Sequence, residues 1–94
     1  MAKFRKKPVV IEAEPIEILM YKAANDFWSM PEWVVTAYEK GDLLFTPEGI
    51  HINTLEGNML GGPKDWLLKG ISGEIYPCKS DIFEKTYEVV ENES

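Results

Sequence analysis

The chain has 94 residues, 45% of them hydrophobic, and a net charge of −6, which leaves room for one domain with a packed core and argues against disorder over its length. Four of its ten bases stand among the first seven residues, ahead of the first acid, Glu12, so the body that follows sets six bases against sixteen acids. That balance excludes non-specific binding to duplex nucleic acid or to an acidic membrane, because both depend on neutralising phosphate-like anions.

The expected organisation is a single domain over residues 1–94, with residues 1–7 as a basic arm and residues 91–94 as a polar tail. Val9, Ile11 and Ala13 alternate with Val10, Glu12 and Glu14, the period of a half-buried strand. From Ile16 the period becomes helical, with Leu19, Met20, Ala23, Ala24 and Phe27 on one face. Ser29 and Glu32 have capping-box spacing and predict a second helix carrying Trp33, Val34, Ala37 and Tyr38, stopped by Gly41. On this reading Trp33 belongs to the core.

The second half reads as hairpins. Residues 43–46 form a strand, Pro47, Glu48 and Gly49 a turn, and Ile50, Ile52 and Thr54 alternate with His51 and Asn53. Glu56-Gly57 and Gly61-Gly62-Pro63 are further breaks, and Ser72-Gly73 predicts a tight turn between strands at 66–71 and 74–78. Asp81 caps a short helical turn with Ile82 and Phe83, and residues 86–90 return as a closing strand. The expected fold class is α+β: a small antiparallel sheet of five to six short strands, two helices in the N-terminal half and a short C-terminal helical turn.

Few residues carry chemistry. His51 and Cys78 are the only histidine and the only cysteine, so they favour neither a zinc site nor a cofactor and leave one Cys–His pair as the sole nucleophile arrangement. A single cysteine and no apolar run near the ~18 residues of a membrane span fit a reducing cell interior. Gly61-Gly62-Pro63-Lys64 offers backbone N–H groups and an ammonium to an anion, with a plain turn as the alternative. Trp66 follows this loop and lies near Lys64 and Lys69, where an aromatic face beside cations can stack a base and hold a phosphate. Tyr76 is a second stacking candidate; Arg5 and Lys79 are further phosphate contacts.

The run Phe4-Arg5-Lys6-Lys7-Pro8-Val9-Val10-Ile11-Glu12-Ala13 resembles the opening of a family of small proteins encoded by phages and prophages. So do Thr54-Leu55-Glu56-Gly57-Asn58-Met59, Asp65-Trp66-Leu67-Leu68-Lys69-Gly70 and Gly73-Glu74-Ile75-Tyr76-Pro77-Cys78-Lys79. The family is the PGDYG type, named for a Pro-Gly-Asp-aromatic turn; here that turn is Pro63-Lys64-Asp65-Trp66, with Lys64 in place of the glycine. The resemblance implies an accessory protein made in a host bacterial cytoplasm and carries over no catalytic residue. The resulting expectation is a non-catalytic homo-oligomer, without cofactor or metal, that binds a small nucleotide-like ligand through Arg5, Lys64, Trp66, Lys69, Tyr76 and Lys79. Sequestration of a cyclic oligonucleotide or cyclic ADP-ribose signal of anti-phage defence is the concrete form of that expectation. The alternative is a module whose acidic body blocks a host protein by mimicking DNA.

Overall fold

The structure, a computed structural model, describes residues 1–5 and 9–90; Lys6 and Lys7 of the basic arm and the tail at 91–94 lie outside the described residues. Among the described residues the order is β1 (Glu12–Pro15), α1 (Ile16–Asn25), a 3₁₀ turn (Phe27–Ser29), α2 (Glu32–Glu39), β2 (Leu43–Thr46), β3 (Gly49–Thr54), β4 (Gly57–Gly61), β5 (Trp66–Lys69), β6 (Ile75–Cys78) and α3 (Ser80–Thr86). No helix among them is long and apolar enough to cross a membrane.

The strands form two three-stranded antiparallel sheets, β1-β5-β6 and β2-β3-β4, so the fold is α+β as expected but its strands divide. β4 ends at Gly61, which is buried against Ile16 and Pro77; a side chain there would collide with both. The chain leaves the sheet after Gly61, and the next strand, β5, joins β1 and β6 instead. Ile16 and Leu19 of α1, Met30 just after the 3₁₀ turn, Val34 and Ala37 of α2, and Leu43, Ile50, Ile52 and Leu67 form one buried cluster between these layers. Each such aliphatic side chain contributes about 1.5–3 kcal/mol by leaving water.

Several local expectations are corrected. β1 starts at Glu12 rather than at residue 9, because β5 supplies partners only as far as Lys69. α1 ends at Asn25, and Phe27 belongs to the 3₁₀ turn that follows. Ser29 does not cap α2: its hydroxyl donates to the Asp26 carbonyl at 2.8 Å, and Pro31 occupies the cap position. Asp81 lies in the first turn of α3, behind Lys79 at the cap, where its charge still suits the helix N-terminus. Residues 87–90 add no strand to either sheet. Gly41 does stop α2, at φ 82°, a conformation that only glycine adopts without strain. Between β5 and β6 the Gly70 N–H donates to the Glu74 carbonyl at 2.8 Å and closes a turn of Ile71, Ser72 and Gly73, with Gly73 at φ 84° and its N–H donating to the Gly70 carbonyl at 3.0 Å.

Sheet β1-β5-β6 has two dissimilar faces. Leu67 is paired with Pro77 and belongs to the main core, whereas Leu68, paired with Ala13 and Tyr76, is fully buried on the other face. α3 meets that second face through Phe83, which stacks on Trp66. The two faces give two candidate sites.

Candidate functional site

A cleft of about 620 Å³ opens between α2 and the core-side face of this sheet. Its helical wall is the stripe Trp33, Thr36, Ala37 and Lys40, at spacings of three and four residues. Its sheet wall is a row drawn from three strands: Glu12 of β1 stands in register with Lys69 of β5, and Lys69 with Ile75 of β6. Glu32 and Asp42 complete the charged lining, so two ammonium groups face three carboxylates around one indole. Such a volume lies within the ~300–1,000 Å³ of ordinary small-molecule sites. Trp33 is half-buried, with part of its ring against the core and part in the cleft. The expectation of Trp33 as a core residue missed this second role. Its signal was present in the sequence: Thr36 and Lys40 extend the Trp33 stripe and are polar.

Of the six residues expected to contact a ligand, only Lys69 lies in this cleft. Arg5 and Lys64 are exposed, Arg5 ahead of β1 and Lys64 at the tip of the loop before β5. Trp66, Tyr76 and Lys79 gather at the second face, where each already has a partner from the chain itself. Trp66 stacks on Phe83 with centroids 4.2 Å apart and planes 13° from parallel, and Phe83 packs on Tyr87 at 5.2 Å. Burial, then a hydrogen bond to Tyr87 and the negative groups nearby, push the Tyr76 hydroxyl up to about 12. Lys79 pairs with Asp65 at 3.8 Å.

The glycine loop is occupied in the same way. Asp65 Oδ2 accepts the Gly62 N–H at 3.0 Å, while the Asp65 N–H donates to the Gly62 carbonyl at 3.0 Å. The loop expected to cradle an anion therefore cradles its own carboxylate, and of the two readings the turn describes it. The Asp65 carbonyl accepts the Ile16 N–H at 3.0 Å, which fixes the start of α1 to this loop.

His51 and Cys78 lie in different sheets. His51 stands between fully buried Ile50 and Ile52 on β3 and so points to the outer side, where Nδ1 is 3.3 Å from Asn58 Oδ1. Cys78 pairs with Trp66 on the face under α3; burial, with Asp65 and Asp81 nearby, raises its thiol above the ordinary value. A protonated thiol is a poor nucleophile at neutral pH. Among the described residues no three His, Cys, Asp or Glu side chains are grouped as a metal site requires. Glu14, half-buried on β1, is raised by burial, with Lys22 opposing that shift.

No protein-family model matches the chain, and no curated protein and no solved structure matches it either.

Proposed function

We propose that the protein binds, without chemistry, a small ligand that joins a planar ring to a phosphate, and that the cleft between α2 and sheet β1-β5-β6 is the site. The observation that carries this reading is the half-buried Trp33 beside Lys40 and Lys69 in one cleft. The indole supplies a stacking face worth about 1–3 kcal/mol for a base, and the two ammonium groups supply phosphate contacts. Glu12, Glu32 and Asp42 suit the amino and imino donors on the edge of such a ring. A nucleotide-like molecule has all three features, and holding it demands no nucleophile or general base. The resemblance to phage accessory proteins supports the setting: a bacterial cytoplasm in which a nucleotide signal of anti-phage defence is sequestered.

A second reading, capture of a host protein, rests on the outer face of sheet β2-β3-β4. Leu44 and Leu60 flank His51 there in one cross-strand row and are 60% and 45% exposed. Such a pair beside an acidic body suits a partner whose own contact surface is apolar with a basic rim.

The test is a thermal-shift titration against cyclic dinucleotides, cyclic trinucleotides and cyclic ADP-ribose isomers. A ligand at 100-fold over its Kd adds about 2.7 kcal/mol, and each kcal/mol moves the Tm of a domain this size by about 4–8 °C. A selective rise of about 10–20 °C, abolished in Lys69→Ala and Trp33→Ala, is the expected result. A flat panel refutes the nucleotide reading and leaves the leucine face as the surface to pursue.

A further inference from the structure

The charges that line the cleft are unequal in number and in placement. Lys69 stands in register with Glu12 across β5 and β1, and Asp42 follows Lys40 by two positions in the chain. Each ammonium thus has one of the cleft's carboxylates as a near neighbour in the sheet or in the sequence. The third carboxylate, Glu32, has no such base; its neighbour in the lining is Trp33. Lys40 stands at the far end of α2, roughly 12 Å along the helix axis from Glu32. Pairing inside the cleft does not remove the imbalance, because the ion pair found among the described residues, Lys79–Asp65, lies outside it.

A half-buried indole beside an unmatched carboxylate suits a positive charge. The face of an indole attracts a cation through its ring quadrupole, more strongly where water is partly excluded. The adjacent carboxylate adds a Coulomb attraction for the same charge. A neutral base uses the indole face and leaves that charge unanswered. A positive ring also offsets the net charge of −6 that any phosphate must approach.

We infer, resting on the reading of this cleft as a nucleotide site, that its ligand is a nucleotide whose ring is itself cationic, an N-alkylated base or a pyridinium. The ring stacks on Trp33 with Glu32 at its edge, and the phosphate lies toward Lys40 and Lys69. Glu32 is then the residue that selects the charge of the ring, and Trp33 the one that selects its planarity.

Isothermal titration calorimetry of the full chain compares two pairs of probes: nicotinamide mononucleotide against its reduced form, and N1-methyl-AMP against AMP. Within each pair the phosphate is kept and the positive charge of the ring is lost. The cationic member is expected to bind at least about tenfold more tightly in both pairs. Glu32→Gln keeps the length of the side chain and removes its charge, with folding checked by circular dichroism. In that variant the preference should shrink by at least about threefold, while AMP binds no more weakly than to the wild-type chain. Equal affinities within the pairs, abolished by Trp33→Ala, overturn the inference and leave the cleft as a nucleotide site. A preference that Glu32→Gln leaves untouched places the recognition of charge elsewhere and overturns it too. No binding by any of the four probes also removes it, and a flat cyclic-nucleotide panel besides removes the reading of the cleft beneath it.

Discussion

Trp66 and Trp33 both sit beside lysines and carboxylates, on opposite faces of the same small sheet, and they end in opposite conditions. Around Trp66 the chain supplies everything a ligand would supply: Phe83 as the stacked ring and Asp65 as the anion, held by the Gly62 N–H and by Lys79. Around Trp33 the same residue types line a cleft of about 620 Å³ and leave part of the indole free. Residue types in sequence thus mark where recognition chemistry is available. Whether it is already spent depends on what folds over it, here Phe83 of α3.

The largest expected effect breaks the closed side. Trp66→Ala removes the half-buried ring on which Phe83 of α3 stacks, at a cost of about 3 kcal/mol, or roughly 12–24 °C in Tm. Trp33→Ala should cost less, because both indoles are half-buried and only Trp66 also loses a stacked ring, Phe83. Thermal melts followed by circular dichroism measure both. Equal losses would mean that the two tryptophans are equally structural, and the contrast between a closed face and an open one would collapse.

The limits of the sequence follow from the same contrast. The helical period from Ile16, the stop at Gly41 and the β2–β3 hairpin were legible because each is written within a few neighbouring residues. The division into two sheets was not, because it depends on Glu12 meeting Lys69 far along the chain. Alternation states which side chains share a face but not which strand lies alongside. The cleft failed to show for that reason: its sheet wall is assembled from three strands, while Trp66 and Lys64 are adjacent enough in sequence to look like a site. Asp65, read as a turn residue, also fills the loop that its neighbours Gly61 and Gly62 seemed to hold open.

An intermediate effect reopens that loop. Asp65→Ala removes the carboxylate that accepts the Gly62 N–H and pairs with Lys79, at a cost of about 1–2 kcal/mol. Most of that loss comes from the hydrogen bond, since the Lys79 ammonium is largely exposed and such pairs contribute little. With its own anion gone, the loop should accept an external one. Inorganic phosphate should therefore raise the Tm of Asp65→Ala by more than it raises that of the wild-type chain. Equal responses would show that the glycine loop has no intrinsic preference for an anion.

The smallest effect separates the closed face from the open one by pH. Tyr76 is held near 12 in the folded protein, against an ordinary value of 10.0. Between these values the unfolded chain has released the proton while the folded one keeps it, so rising pH favours unfolding. The stability tied to this proton is complete below pH 10 and is lost as the pH passes about 12. Tyr76→Phe removes both the proton and the hydrogen bond to Tyr87, so it should lower the Tm slightly at neutral pH. As the pH rises above 10, the wild-type chain should lose stability faster than the variant, and the gap between them should narrow or reverse. Parallel curves for wild type and Tyr76→Phe would show that Tyr76 titrates alike in folded and unfolded chains, and the second face would then be less closed than its stacked rings suggest.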